Sequence, residues 1–196
     1  KHFNPHTIVI GYNHRFGKNR AGDLQLMQKI AKQYNFSVEE ISKQEIENLS
    51  ISSTKIRKYL QAGDVSTAIS LLGHEYFIRG IVVKGNQLGQ KIGFPTANLA
   101  IPSSEKLVPD NGVYAVRVKI KEHYFNGMLN IGWRPTVAGK SQTVEVHIFD
   151  FNADIYGETI QIDFVKLIRR EQKFANLEGL ISQLKKDKIA ALNILV

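Results

Sequence analysis

The chain has 196 residues, 43% of them hydrophobic and 22% charged, a globular composition at a length that can bury about 70% of the unfolded surface. It contains no cysteine, which excludes disulfides and thiolate metal sites, and its histidines at 2, 6, 14, 74, 123 and 147 show no ligand spacing, so no structural zinc is expected. The net charge of +8 is spread as 10 basic against 7 acidic residues up to position 75 and 16 against 11 beyond it, which suits a protein handling a phosphorylated small molecule better than a nucleic-acid groove.

No apolar run approaches the roughly 18 residues needed to cross a bilayer. The opening stretch KHFNPHTIVIGYNHRFGKNR has neither the long apolar region nor the small-residue cleavage site of a signal peptide. A soluble, cytoplasmic protein without membrane contacts is expected. The missing initial methionine is expected of a fragment or a processed chain, and self-association is left open.

In chain order, TIVIGY from Thr7 reads as a short buried parallel strand followed by a polar loop. From Asp23, DLQLMQKIAKQY places Leu24, Met27, Ile30 and Ala31 at helical spacing, and FSVEEI reads as a second strand. SISSTKIRKYLQAGD offers a Ser/Thr start, apolar Ile56, Tyr59 and Leu60, and a stop at Gly63. Strand, helix, strand, helix over about 75 residues is an α/β pattern too short for a complete doubly wound domain.

After Gly73 the period changes to alternation. YFIRGIVVKG and GVYAVRVKIK read as strands, the second with Tyr114, Val116, Val118 and Ile120 on one face and Arg117, Lys119 and Lys121 on the other. YFNGMLNIG, TVEVHIFDF and ETIQIDFVKLI continue the pattern, so five or more strands in a closed antiparallel sheet are expected. From about Asn176 a helix carries Leu177, Leu180, Ile181 and Leu184 as a stripe that would cover one mouth or side of the barrel. The boundary is expected near residue 75, giving segments 1–75 and 76–196.

Three features of the second segment bear on chemistry. Gly85, Gly89 and Gly93 recur four apart in GNQLGQKIG, where backbone N–H groups can approach a phosphate closely. The stretch is neither of the common Gly-rich nucleotide signatures, no helix is expected after it, and a flexible connection is the competing reading. In GFPTAN, Pro95 fixes its own φ and drives Phe94 into an extended conformation, so Thr96 and Asn98 stand on a stiff segment. Their oxygens suit a magnesium ion already holding phosphates, and equally a turn that bonds its own backbone. In TVEVHIFDF, Glu145 shares a strand face with His147 and opposes Val144, Val146 and Ile148. A carboxylate on a rigid strand can deprotonate an attacking hydroxyl, and can also be a solvated surface group. His147 carries less by itself.

GNQLGQKIGFPTANL, GVYAV, NIGWRPTV, VEVHIFDFNADIYG and IRREQKF occur in this order, and together they resemble the riboflavin kinase module of bacterial bifunctional FAD synthetases. The resemblance runs almost continuously over residues 75–196. It implies a six-stranded Greek-key barrel with a C-terminal helix, transferring the ATP γ-phosphoryl group to the ribityl 5′-hydroxyl of riboflavin to give FMN. Carried over by position, Thr96 and Asn98 would hold Mg²⁺ with the nucleotide phosphates. Glu145 would be the base, and Gly85, Gly89 and Gly93 would belong to a flexible phosphate-covering loop. Asn130, Thr136, Arg170 and Phe174 lie in the same motifs and would shape the site.

GYNHRFGKNRAGD and ISSTKIR in the first 75 residues resemble the C-terminal half of the companion FMN adenylyltransferase domain, a Rossmann-like nucleotidyltransferase. That pattern runs G-x-D-F-x-F-G, whereas Asn13 and His14 stand at the Asp and Phe positions, and the early H-x-G-H motif is absent. The resemblance therefore implies that the parent protein also makes FAD and that this chain alone makes FMN with little or no FAD. Ser53, Thr54 and Arg57 are the candidate nucleotide or flavin contacts left in this segment, or an ordinary N-cap and a surface arginine. Two other classes compete: a basic β-barrel binding single-stranded nucleic acid through the Arg117, Lys119 and Lys121 face, whose aromatic partners are not evident in the sequence, and a flavin-binding protein without catalysis.

Overall fold

The computed structural model describes residues 5–42, 53–85, 87–102, 106–136 and 139–196, and the chain divides into two compact units, Lys1–Ile51 and Ser52–Val196. The first unit is a β-α-β element. Strand β1 (Thr7–Gly11) and strand β2 (Ser37–Ile41) pair in parallel, Thr7 opposite Ser37 and Gly11 opposite Ile41, with helix α1 (Leu24–Tyr34) between them in sequence. The Asp23 side chain caps α1 by accepting from the Leu26 N–H at 3.0 Å, and Asn35 ends it in the left-handed region at φ 55. Asn13 and His14 lie exposed in the turn that follows β1.

The second unit opens with helices α2 (Ser53–Gln61) and α3 (Val65–Leu72), joined by a turn in which Gly63 takes φ 76. Six strands follow: β3 (Phe77–Val83), β4 (Ala97–Ala100), β5 (Gly112–Ile120), β6 (His123–Thr136), β7 (Gly139–Ile148) and β8 (Thr159–Arg169). All their pairings are antiparallel, and they close in the order β3-β4-β7-β6-β5-β8. Closure leaves no edge strand to template aggregation. A one-turn helix α4 (Leu88–Lys91) sits between β3 and β4, and α5 (Leu177–Leu195) closes the chain, capped by Asn176 accepting from the Gly179 N–H at 2.8 Å.

Alternation puts Ile78, Tyr114, Val116, Leu129, Val146 and Ile162 into a fully buried barrel interior. A second cluster lies outside the sheet. Val113, Ala115 and Met128 are buried there with Ala191 and Leu195 of α5, so the start of β5 is apolar on both faces. The helix therefore covers a side of the barrel. Its buried residues are Asp187, Ala191 and Leu195, with Leu180 and Leu184 half-buried, whereas Leu177 is exposed, so the apolar stripe begins one turn later than its sequence suggests.

The boundary expected near residue 75 falls inside the second unit. Leu60, Val65 and Ala68 join the barrel's interior cluster. Arg170, reaching from the end of β8, donates to the Asp110 carboxylate and to the Ala62 carbonyl. Helix α3 is only eight residues long; its Val65, Ala68, Ile69 and Leu72 fall at helical spacing with Ser66 and Ser70 exposed opposite them, a short stripe that was not among the expected elements.

Candidate active site on the outer face of the barrel

Antiparallel register gathers the candidate side chains on one outward face. Asn98 of β4 stands opposite Glu145 of β7, which stands opposite Asn130 of β6. Thr96 lies two residues before Asn98 and so shares its face; its hydroxyl donates to a Glu145 carboxylate oxygen at 3.4 Å. The Pro turn and the acidic strand, 49 positions apart in sequence, thus form one constellation.

His147 fastens that constellation. It is 7% exposed, its Nδ1–H donates to the Pro95 carbonyl at 2.7 Å, and its ring meets Phe94 and Phe149 edge-on at 5.3 and 5.5 Å. The imidazole pins the Pro turn to the strand that carries Glu145. Burial holds its pKa below the usual imidazole value, against the pull of the Pro95 carbonyl. Between that lowered native value and the ordinary value of about 6.5, the unfolded chain binds more protons than the native one. The stability associated with neutral His147 is therefore complete above about pH 6.5 and is lost as pH falls through the native pKa. Thermal melts should show the wild-type midpoint dropping further between pH 7 and pH 5 than that of His147→Asn. Equal drops would contradict this assignment.

The three glycines of the preceding loop have different surroundings. A Cβ on Gly89 would lie 2.2 Å from the Phe94 carbonyl oxygen, in a turn closed by the Phe94 N–H donating to the Gly89 carbonyl at 2.8 Å. A Cβ on Gly85 would meet the Asn98 side chain at 2.2 to 2.8 Å. Gly93 takes φ 81 with open space around it, a conformation only glycine adopts freely. Helix α4 lies inside this loop, where no helix was expected, and Asn86 is outside the described residues.

Two cavities meet at this point. One, of about 320 Å³, lies between the sheet face and α5; Thr96, Glu145, Asn130 and His147 form part of its polar wall, and Phe94, Met128, Phe174, Leu180 and Leu184 much of its apolar wall. The other, of about 380 Å³, lies between the Pro turn and the segment 151–156, where Phe151, Asn152, Asp154 and Tyr156 face Pro95 and Ala97. Thr96 and Gln87 line both. The Gln87 side-chain amide donates to the Tyr156 hydroxyl at 3.3 Å.

Not every candidate joins them. Asn98 lines neither cavity and packs beside Gly85. Arg170 points away, to Asp110 and Ala62. Its neighbour Arg169 is the one lining the first cavity, its guanidinium 5.7 Å from the Phe174 ring centroid. Strand alternation decides between the two arginines, and IRREQKF does not reveal its phase. Asp187, 1% exposed, holds Arg169 through bonds of 2.8 to 3.0 Å and also accepts from Gln183 at 2.8 Å. Thr136 ends β6, and its side chain lies outside the described residues. Ser53, Thr54 and Arg57 are exposed on the first turns of α2 and line neither cavity.

The cationic strand face is largely compensated. Lys119 pairs with Glu122 at 3.5 Å, Lys121 with Glu158 at 3.0 Å, and Arg117 stands opposite Asp163. Tyr124 lies beside Lys119, at 5.6 Å from its ammonium. One aromatic among paired charges is not the run of stacking platforms a single strand needs.

Residues 72–195, more than half of the chain, match the riboflavin kinase family model. The chain belongs to the riboflavin kinase family. Residues 1–55 match the FAD synthetase family model. The bifunctional riboflavin kinase/FMN adenylyltransferase of Escherichia coli K12 is 42% identical over 192 residues, which cover 97% of this chain and 61% of that protein. The protein of the same description from Bacillus subtilis 168 is 40% identical over 194 residues, covering 96% and 60%. This riboflavin kinase family member thus spans about three fifths of the length of these relatives. A crystal structure from Streptococcus pneumoniae, described as a macrolide-efflux protein, superposes with a TM-score of 0.83 at 37% identity, covering 95% of this chain and 60% of that one. No helix among the described residues is long and apolar enough to cross a membrane.

Proposed function

We propose that the chain transfers the γ-phosphoryl group of ATP to the 5′-hydroxyl of riboflavin, giving FMN and ADP. The observation that carries this reading is the Thr96–Glu145 contact at the junction of two cavities. The cavity beneath α5, with Phe94, Met128 and Phe174 in its walls, suits the flat isoalloxazine ring. The cavity bordered by Asn152, Asp154 and Tyr156 takes the nucleotide.

A hydroxyl placed against Glu145 gives up its proton to the carboxylate as its oxygen bonds to the γ-phosphorus and the bond to the bridging β–γ oxygen breaks. The protein's main contribution is to hold the two substrates in line. The oxygens at the junction are hard, the Thr96 hydroxyl and the Glu145 carboxylate, and the Asn98 carboxamide stands beside them, outside both cavities and opposite Glu145 in register. Among the described residues no cluster of three acidic, histidine or cysteine side chains forms a metal cage. This set fits a magnesium ion that takes most of its shell from phosphate oxygens and water. Thr96 and Asn98 would hold it, and it would supply charge neutralisation for the phosphates. Gly85 keeps the space beside Asn98 open.

The longer protein would also adenylylate FMN, through a domain of which the first unit, Lys1–Ile51, would be the C-terminal part, with helices α2 and α3 belonging to the barrel unit. With ATP as a substrate, the cytoplasm is its place of action. Incubating the chain with riboflavin and Mg·ATP and separating the flavins chromatographically tests the kinase reading: FMN is expected, and unconverted riboflavin would refute it. In the same assay Gly89→Ala should be about a hundred-fold slower, because its Cβ must displace the Phe94 backbone next to Thr96. Wild-type turnover would mean that this turn does not position the site.

A further inference from the structure

Glu171 is a carboxylate of the first cavity's wall that the phosphoryl-transfer reading leaves without a task. It leaves β8 two residues after Arg169, on the cavity side of the chain. Its Oε2 accepts from the Asn111 carboxamide at 3.3 Å, and the Asn111 oxygen in turn accepts from Gln142 at 3.4 Å. Its Oε1 lies against β6 where there is no side chain: a Cβ on Gly132 would come within 2.7 Å of that oxygen and 3.4 Å of the Asn130 amide nitrogen. Gly132 is thus the seat of the carboxylate, which explains a glycine in the middle of a buried strand without a positive φ.

Asn130 is opposite Glu145 in register, and Gly132 is two residues further along the same strand face. That repeat is about 7 Å. Glu145, Asn130 and Glu171 therefore make a polar row along one wall, facing apolar residues of α5 and Phe174. The row spaces acceptor, amide and acceptor over the length on which a five-carbon polyol spaces its hydroxyls.

We propose that Glu171, held by Asn111 and seated over Gly132, reads the polyol chain of the flavin, accepting from its inner hydroxyls while Asn130 donates to them, and so selects polyol-bearing flavins. This rests on the first cavity being the flavin site. Flavin-fluorescence titration of the chain with riboflavin and with lumiflavin, which has the same ring and no polyol, tests it. Glu171→Ala should weaken riboflavin about ten- to a hundred-fold, the range for hydrogen bonds to a charged group, and leave lumiflavin unchanged. Gly132→Ala, which displaces the carboxylate without removing it, should do the same more mildly. Equal weakening of both ligands, or unchanged riboflavin affinity, would overturn the assignment. A wild-type chain that binds neither flavin would instead overturn the kinase reading beneath it.

Discussion

Glu145→Gln is expected to form FMN about two to four powers of ten more slowly than the wild type, with riboflavin affinity little changed. The substitution keeps the shape of the side chain and one acceptor oxygen, exchanges the other for an amide donor, and removes its ability to take a proton. The position is rigid: Glu145 is flanked by fully or nearly fully buried Val144 and Val146 and paired in register on both sides, with Asn98 and with Asn130. A glutamine there has nowhere else to go. The effect should therefore appear in kcat, measured under saturating Mg·ATP, with KM for riboflavin nearly constant. A variant with near-normal kcat would remove Glu145 from the proton transfer and leave Thr96 and Asn98 as positioning groups alone.

Arg169→Met is expected to destabilise the barrel unit by about 3–5 kcal/mol, seen as a thermal midpoint lowered by roughly 10 °C. The guanidinium makes three bonds of 2.8 to 3.0 Å to Asp187. Removing it strands a carboxylate that is 1% exposed, with Gln183 as its remaining donor. The cost comes from the orphaned charge, since a buried pair contributes little beyond its apolar replacement. The double variant Arg169→Met/Asp187→Leu should recover most of the lost stability. It should not recover flavin binding, because Arg169 also lines the first cavity against Phe174. If the single variant melts with the wild type, this pair does not anchor α5 to β8.

Sequence periodicity was sufficient for the barrel because β7, β5 from Val116 onward and the first half of β8 alternate, and turn signals separate them. It did not reveal β4, since Ala97–Ala100 follows directly on the Pro turn and is short. It left open whether α5 covers a mouth or a side of the barrel, which is decided by Val113 and Ala115, buried on the face that alternation marks as outward. Thr96 and Glu145 were legible as separate signals; their contact depends on register between β4 and β7, which no local pattern specifies. His147 was passed over as a lone histidine, and its role depends on a carbonyl 52 residues away. The choice between Arg169 and Arg170 required the phase of β8, which shifts register twice against β5.

The most direct measurement is a crystal structure of the chain with riboflavin and Mg·ADP bound. The flavin ring is expected in the cavity beneath α5, its terminal hydroxyl within hydrogen-bond distance of Glu145, and the nucleotide phosphates against Thr96. A flavin bound on another surface, or phosphates remote from the Pro turn, would contradict that arrangement.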